Sequence, residues 1–382
     1  MRIALTLMIL ALSSPPPSMA DAISIAHVTA ARAGALEAGL SAAELAIADS
    51  NASGKFLGIS LELRRYLVGA DSDHTEVSKA IAASGTRFVI ANVDAVMLSR
   101  LAGAADARDL LFINARERAD SLREEHCAHN LLHTIPSHAM LADGLAQYLA
   151  ARRWRRWFLV IGRAPEDALY ASAVRRAAKR FGAQITVEKQ WPFETWNARA
   201  DTGHTSLQSD IPAFTNVGDY DVLMVADEKN DFGDYLEGRT ALPRPIAGSH
   251  GLVTAGFSPM SEEWGAMQLQ SRFAKLAGRR MGEVDYAIWA AVRSIAEAAV
   301  RTRSSDPAIV AAFLRGPEFL LAGFKGYGQS YREWDGQMRQ PVLIVGSRML
   351  ISASPQAGYL HRGSPLDALG VDREESRCKF AN

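Results

Sequence analysis

Residues 133–193 decide the fold: HTIPSHAMLADGLAQYLAARRWRRWFLVIGRAPEDALYASAVRRAAKRFGAQITVEKQWPF. Apolar residues recur at helical spacing over Ser137–Arg152, and the apolar run Trp157–Ile161 then predicts a buried strand. A second helix is predicted over Ala168–Phe181, and a second strand over Ile185–Lys189. Helix, strand, helix and strand at these intervals predict a parallel sheet with right-handed crossovers.

Ligands in such sheets bind beyond the carboxyl ends of the strands. The polar segment Arg163–Asp167 follows the first of the two strands. We therefore predict that it is a loop facing a binding cleft, and the rest of the chain must indicate what that cleft holds.

The N-terminus predicts a secretory signal peptide. Arg2 precedes the ten-residue apolar run Ile3–Leu12, and small residues follow as far as Ala20. The run is shorter than the roughly 20 apolar residues that cross a bilayer, and no other segment is long and apolar enough. The alternative, a buried N-terminal strand, is disfavoured by the proline-rich SSPPPS. We expect cleavage after Ala20 or Ala22 and a soluble, periplasmic mature chain.

Charge and length limit the function classes. The chain has 382 residues, enough for two domains, with 42 basic and 42 acidic residues. This balance argues against nucleic acid as a partner, because such binding requires a basic face. The basic cluster ARRWRRW, residues 151–157, stands at a predicted helix end, where cations complement the helix dipole. We expect a monomer.

Two cysteines are present, Cys127 and Cys378. In an exported protein the simplest expectation is one disulfide, and the alternative is two free thiols. A bridge closing so long a loop would stabilise the fold by on the order of 5 kcal/mol in the chain-entropy model.

Residues 23–115 alternate predicted strands and helices and form one doubly wound α/β unit. The predicted elements are strands at Ile23–His27, Ile59–Leu67, Arg87–Ala91 and Leu110–Asn114, with helices at Ala35–Ala48, Thr75–Ala83 and Val93–Ala102. A second unit runs from about residue 137 to 251.

The second unit adds strands Val222–Ala226 and Pro245–Gly248. Helices are then predicted at Glu262–Ala277, Asp285–Arg301 and Ala308–Arg315, and a hairpin joins Gln329–Trp334 to Gln340–Val345 through the turn Asp335-Gly336. Two similar units between which the chain crosses several times predict a two-lobed clamshell. Lobe one would comprise residues 23–134 and 252–322, and lobe two residues 135–251 and 323–382.

This layout resembles the type I periplasmic binding proteins of the branched-chain amino acid (Leu/Ile/Val-binding-like) ABC transporter class. The residues that carry the resemblance are GLSAAELAIADSNASGKFLG (39–58), FVIANVDA (88–95), HTIPSHAMLADGLAQYL (133–149), SDPAIVAAFLRGPEF (305–319) and YREWDGQMRQP (331–341). The resemblance implies capture of a solute between the lobes and delivery to a membrane permease. It implies neither catalysis nor a cofactor.

One branch is more similar still, the binding proteins associated with pyrroloquinoline-quinone (PQQ)-dependent alcohol dehydrogenase systems. The similar stretches are EEHCAHNLLHTIPSHAMLADGLAQYLAARRWRRW (124–157), AGFKG (322–326), WDGQMRQPVLI (334–344), SPQAGYLH (354–361) and LDALGVDREESRCKF (366–380). The branch has a cysteine in the first and last of these, which implies pairing of Cys127 with Cys378. It does not identify the solute.

The predicted ligand-binding residues follow the strand ends. They are Thr29, Asn92, Asp94, Asn114 and Arg116 from lobe one, and Glu166, Asp167, Tyr170, Asp227, Ser249 and His250 from lobe two. For each residue the alternative is a solvated loop side chain or a helix cap.

The solute is predicted from the acids in this set. Amino-acid binders of the family usually place small hydroxyl residues where this chain has Val93-Asp94-Ala95, and Asp94 would repel a carboxylate there. An ordinary amino acid is therefore a doubtful ligand, although Arg116 could pair an acid. The carboxylates instead suggest a cationic solute or a hard metal ion, unless they cap helices: Asp94, Glu117, Glu166, Asp167, Asp227 and Glu228.

Three other patterns have weaker interpretations. His126, His129 and His133 stand at helical spacing beside Cys127, so zinc is one hypothesis and a polar surface near the hinge is the other. Residues 247–251, AGSHG, superficially match a nucleophile elbow, but that motif needs a following helix, and an extended segment is predicted. Residues 323–328 lack the spacing of a phosphate-binding loop.

A periplasmic sensor or accessory protein with the same clamshell remains the alternative to transport.

Overall fold

The computed structural model describes residues 22–31, 39–54, 58–69, 72–193 and 210–380. The predicted signal peptide lies outside these residues, so its cleavage after Ala20 or Ala22 stays a prediction. In the described part of the chain, no helix combines the length and apolar character needed to cross a membrane.

The first sheet has five parallel strands in the order β2-β1-β3-β4-β5. Its elements are β1 Ile23–Ala30, α1 Leu40–Gly54, β2 Leu61–Val68, α2 His74–Ala83, β3 Phe88–Asn92, α3 Ala95–Ala102, β4 Leu111–Asn114 and β5 Leu131–His133. All five residues of β3 are buried, because helices cover both faces of a parallel sheet.

The next part of the chain repeats this plan. Its elements are α4 His138–Ala151, β6 Arg156–Ile161, α5 Pro165–Phe181, β7 Gln184–Gln190, β8 Val222–Ala226, α6 Gly233–Leu236, β9 Ile246–Gly248 and β10 Leu252–Ala255. The strands are parallel in the order β7-β6-β8-β9-β10. Numbered from one within this lobe, they follow the order 2-1-3-4-5, as in the first sheet. The predicted α/β fold, two lobes with parallel sheets, is confirmed.

The C-terminal third contributes to both lobes. It comprises α7 Ala266–Ala277, α8 Glu283–Thr302, α9 Pro307–Arg315, β11 Leu321–Ala322, β12 Gly328–Tyr331, β13 Met338–Arg339, β14 Val342–Val345 and β15 Leu350–Ser354. Helix α8 packs on α1 and the first sheet, where Ile288, Trp289 and Val292 are buried in the core. Strands β14 and β15 extend the second sheet antiparallel to β10.

Two predicted lobe boundaries need correction. Strand β10 pairs with β9 and β14 in the second sheet, although residues from 252 onward were expected in lobe one. The predicted hairpin exists, but β12 pairs with β13 and not with 340–345, and Tyr331 and Met338 are buried in the core of the first lobe. The chain crosses between lobes after the hairpin, because β14 completes the second sheet.

Two local expectations are also wrong. Strand β5 was not predicted, and it places His133 in a sheet where a helical spacing was expected. The segment Arg163–Asp167 was expected to be a loop, but α5 begins at Pro165. Proline fits this position because the first turn of a helix does not use its backbone N–H.

The three crossings between lobes contact one another. Gln340 of the third crossing is fully buried, and its Nε2 donates to the Thr134 carbonyl of the first at 2.6 Å. Gly256 of the second crossing lies against Pro136, where an added Cβ would stand 2.8 Å from the proline ring. These contacts define the hinge of the clamshell.

Cys127 and Cys378 form the expected disulfide, with a Cα–Cα distance of 5.7 Å. The alternative of two free thiols is therefore excluded. The bond joins the loop that precedes β5 in the first lobe to the C-terminal segment of the chain.

Candidate functional site

The site lies where the carboxyl ends of both parallel sheets meet. In each sheet the strand order reverses direction between the first and third strands, β1 and β3 in one lobe and β6 and β8 in the other. Loops diverge at this point and leave a crevice, which is where ligands bind in open α/β sheets.

A charged cluster joins the two lobes at the base of this crevice. Arg118, in the loop after β4, pairs with Glu228 after β8 at 3.4 Å between Nη1 and Oε2, and with Glu283 at the start of α8. His138, in the first turn of α4, places Nε2 3.5 Å from the same oxygen of Glu228. The cluster thus links elements of both lobes.

The charge states of the cluster follow from these contacts. Glu283 is the main reason that the pKa of Arg118 is raised. Burial raises the pKa of Glu228, but His138 and Arg118 outweigh burial, and the net pKa of Glu228 lies below its usual value. Glu228 therefore stays ionised at neutral pH.

Tyr170 and His138 each bring an unsatisfied polar atom to the cluster. Tyr170 is 2% exposed, its ring lies 5.7 Å from that of His138, and burial raises the pKa of its hydroxyl. The side chain of Thr254 interacts with this hydroxyl and opposes the effect of burial on its pKa, but within the described residues neither the hydroxyl nor Nδ1 of His138 has a hydrogen-bond partner of acceptable geometry. Buried polar groups are rarely left unpaired, so both atoms are candidates for contact with a ligand.

Asp167 connects the loop ends of the second lobe. Its Oδ2 accepts from the Ala164 N–H at 2.9 Å, and its Oδ1 accepts from the Glu228 N–H at 2.6 Å. Burial raises the pKa of Asp167, and these amides oppose that effect. Asp167 positions Glu228 and is not itself available to a solute.

The side chains of Asp227, Ser249 and His250 also bond to neighbouring groups of the protein. Asp227 accepts from three consecutive N–H groups, those of residues 231–233, each at 2.8 Å. Ser249 Oγ accepts from the Asp227 N–H and donates to the Val225 carbonyl, and Nε2 of His250 lies 2.7 Å from Oδ1 of Asn230. The Ser249 hydroxyl also lies 3.1 Å from Nδ1 of His250, but β10 follows the turn where a nucleophile elbow needs a helix.

In the first lobe, two predicted ligand residues satisfy the local backbone. Asp94 caps α3 by accepting from the Met97 N–H at 3.0 Å. Asn114 is buried and accepts from the N–H groups of Arg116 and Glu117.

The other predicted residues of the first lobe make longer contacts. Thr29 is buried, with its hydroxyl 3.4 Å from Nε2 of His27. Arg116 is exposed, and its guanidinium reaches Oδ1 of Asn92 at 3.4 Å. Both are weak contacts that a ligand could replace.

The acids do not form a cation site. Besides the caps already described, Glu166 pairs with Lys229 at 2.6 Å, and Glu117 accepts from the Ala119 N–H. No group of three or more His, Cys, Asp or Glu suited to a metal ion occurs among the residues that the structure describes. The hypotheses of a hard metal ion and of zinc at the histidines are therefore wrong for this part of the chain, since the acids cap backbone amides and His133 lies in β5.

Sequence reasoning missed three members of the central cluster, Arg118, His138 and Glu283, and counted Glu228 only among the acids. Arg118 carried a usable signal, because it lies in the loop after a predicted strand. Glu283 carried none, since its place depends on how α8 returns to the first lobe.

Comparison with known proteins gives a consistent picture. Residues 24–202, just under half of the chain, match the family described as periplasmic binding protein. Proteins of this family bind solutes and are not enzymes. No curated protein matches the sequence.

Solved structures are similar over nearly the whole chain. A leucine-, isoleucine-, valine-, threonine- and alanine-binding protein from Brucella ovis, in a closed conformation, has a TM-score of 0.74 at 15% identity, covering 95% of this chain and 100% of its own. A branched-chain amino acid ABC transporter periplasmic ligand-binding protein from Burkholderia xenovorans has a TM-score of 0.75 at 16% identity, covering 94% and 99%. A solute-binding protein from R. palustris, in complex with benzoate, has a TM-score of 0.66 at 13% identity, covering 94% and 100%. At these identities the likeness concerns the fold.

Proposed function

We propose that this chain, which has the two-lobed fold of the type I periplasmic binding proteins, is the solute-capturing subunit of an ABC transporter. It would bind a small solute between its lobes in the periplasm and present it to a membrane permease. The observation that carries the proposal is the cluster of Arg118, His138 and Glu228, in which side chains from both lobes meet at the carboxyl ends of both sheets. A solute bound there contacts both lobes and favours their closure.

The polar end of the solute would replace the missing partners of this cluster. The Tyr170 hydroxyl and Nδ1 of His138 are buried and unsatisfied, and Arg118 has a side chain that is 29% exposed. An oxygen of the solute that accepts from Tyr170 and Arg118 would satisfy these groups. A carboxylate or carbonyl oxygen fits this requirement, because the Tyr170 hydroxyl and Arg118 are hydrogen-bond donors and a cation offers them no acceptor.

An ordinary amino acid remains a poor candidate, and Asp94 supplies the reason. Its carboxylate occupies the first turn of α3 and accepts from the Met97 N–H, which is where a ligand carboxylate would otherwise bind. The similar proteins include one that binds branched-chain amino acids and one in complex with benzoate. We propose a small organic acid or carbonyl compound as the solute, and we propose from the resemblance to binding proteins of PQQ-dependent alcohol oxidation systems that the transporter is linked to such a system.

Native mass spectrometry of the chain purified from its periplasm would identify a co-purified solute. A calorimetric panel of leucine, benzoate and short aliphatic acids follows, each with wild type and Tyr170→Phe. We expect a carboxylic acid to bind, with three- to tenfold weaker binding in Tyr170→Phe, as about 1 kcal/mol for one hydrogen bond predicts.

Tyr327→Phe is the matched control, because it removes the same hydroxyl from a side chain that is 44% exposed and lies outside the cluster. Its affinity should equal that of wild type. Strong binding of leucine with no effect of Tyr170→Phe would contradict the proposed solute class. Recovery of the chain from the cytosol, or no bound solute under any condition, would contradict the transport role.

A further inference from the structure

The C-terminal segment 371–378, which we call the strap, connects the two lobes beside the hinge. It leaves Gly370, which is bonded to helices α4 and α5 of the second lobe, and ends at Cys378, which is bonded to Cys127 of the first lobe. The strap contains only a turn, in which the Glu375 N–H donates to the Asp372 carbonyl at 3.1 Å. Its two ends therefore belong to different lobes.

The attachment to the second lobe is charge-assisted. Oδ2 of Asp143, a fully buried residue of α4, accepts from the Gly370 N–H at 2.8 Å. The Gly370 carbonyl accepts from Arg176 at 2.8 Å and from Arg180 at 2.6 Å, and both guanidinium groups also pair with Asp143. Hydrogen bonds to charged groups are about twice as strong as neutral ones, so this end is firmly held.

The attachment to the first lobe is covalent and has supporting ion pairs. Beside the disulfide, the backbone N–H and Nε of Arg377 each donate to Oε2 of Glu124 at 3.1 Å, and Nη2 of Arg377 lies 3.2 Å from Oε1 of Glu125. Closer to the hinge, Arg332 of β12–β13 donates to the carbonyls of Leu369 and Val371. The strap is thus fixed to the first lobe at its Cys378 end and to the second lobe at Gly370, and between them Asp372 pairs with His361 at 3.2 Å and Glu375 with Arg176 at 3.5 Å.

A cavity of about 650 Å³ lies beneath the strap. Its walls come from both lobes and from the strap: the loop at Asp120 and Glu124, Ala139 of α4, the Ser172–Arg180 face of α5, and Val371, Glu375 and Arg377. This space separates the loop of the first lobe from α5 of the second lobe. Eight residues span at most about 27 Å when fully extended, and the turn must unfold before the strap reaches that length.

We propose that the strap limits how far the lobes open. Since the Cys378 end moves with the first lobe and Gly370 moves with the second, wide opening must either unwind the turn of the strap or break the bonds of Gly370 to Asp143, Arg176 and Arg180. This inference adds a conformational limit to the proposed solute-binding function, and it holds for the protein without solute.

The test is small-angle scattering without solute, on wild type, on the double variant Cys127→Ser/Cys378→Ser, on the double variant Arg176→Met/Arg180→Met, which removes both donors to the Gly370 carbonyl, and on the four substitutions combined. We expect a larger radius of gyration when either end of the strap is released. We also expect no further increase when both ends are released, because one intact strap needs both attachments. Lys179→Met is the matched control, since Lys179 lines the same cavity and has no partner among the described residues.

An unchanged radius of gyration in the folded double-cysteine variant would overturn the inference. It would also be overturned if the increase in radius of gyration in the combined variant equalled the sum of the increases in the separate variants. If that variant does not fold, wild type reduced after folding replaces it and is measured in the same way. Because the scattering is measured without solute, a negative result would leave the proposed solute-binding function intact. Conversely, a chain that binds no solute could still open further when the strap is released.

Discussion

Gly162 shows how one residue positions the centre of the site. A Cβ added at Gly162 would stand 2.2 Å from Oδ2 of Asp167 and 3.1 Å from the ring of Phe232. Gly162→Ala should displace Asp167 from the Glu228 N–H and lower the free energy of unfolding by about 1–3 kcal/mol. Chemical denaturation measures this loss. Gly358→Ala is the control, because an added Cβ there contacts nothing within 4 Å, and equal losses in the two variants would contradict the argument.

Lys325 makes stability depend on pH. Its ammonium is buried in the hinge against Oε1 of Gln340 at 2.6 Å and the Pro341 carbonyl at 3.1 Å, and burial lowers its pKa to about 7. Between pH 7 and about 10.4 the unfolded chain binds a proton that the folded chain has lost, so stability rises with pH in this window. Below pH 7 both states are protonated and the contribution is constant.

Lys325→Met should remove this dependence. The difference in free energy of unfolding between wild type and variant should rise with pH from 7 to 9 by at most about 1.4 kcal/mol per unit in favour of wild type. Denaturation at pH 7, 8 and 9 measures it, and titrations of other residues cancel in the difference. A difference independent of pH would show that Lys325 keeps an ordinary pKa.

At the residue scale the sequence located the strand-end loops but not the direction of each side chain. Asp94, Asp167 and Asp227 all follow strands as predicted, yet each turns back to accept backbone N–H groups. Short acidic side chains do this readily, and the alternative of helix caps was therefore the correct one for Asp94. Arg118 and Glu283 meet only after the chain has folded, and no local pattern reports such a pair.

At the element scale, periodicity and capping predicted most helices and strands, and pairing decided the exceptions. Helix α9 begins after Asp306, as Ser-Asp-Pro predicts, and α5 ends at Gly182 in the left-handed conformation. Strand β10 was assigned to the wrong lobe and β14 to the wrong partner, because the pairing of β10 with β14 joins strands that are distant in sequence. Strand β13 has two residues, which are too few to show an alternation of apolar and polar side chains.

The cap of α9 gives a prediction for an element. Oδ1 of Asp306 accepts from the N–H groups of Ala308 and Ile309 at 2.9 and 3.0 Å. Asp306→Ala should lower the free energy of unfolding by about 1 kcal/mol, because two N–H groups of the first turn lose their partner. Glu318→Ala, an exposed acid beyond the same helix, should have no effect in the same denaturation experiment. Equal stability of the two variants would refute the capping role.

At the scale of the whole molecule, one polar network joins the lobes. Oε1 of Glu283 accepts from the Gly256 N–H of the second crossing, and its other oxygen pairs with Arg118, which in turn reaches Glu228. Gln340 and Thr134 connect the remaining crossings. The three crossing segments of the hinge are therefore already linked to one another when the lobes close around a solute. This linkage favours motion of whole lobes over bending of single loops.

Arg118 is the residue on which this network depends, since it is the cation between Glu228 and Glu283. Arg118→Met would leave two carboxylates facing each other, so the pKa of Glu228 should rise and solute affinity should fall by tenfold or more, as the loss of about 1.4 kcal/mol or more from a partly buried pair predicts. Adding Glu228→Gln to Arg118→Met removes the repulsion and should recover part of the affinity, whereas Glu228→Gln alone should weaken binding. Calorimetry with the co-purified solute measures all three, and independent, additive losses would mean that Arg118 and Glu228 do not act as a pair across the cleft.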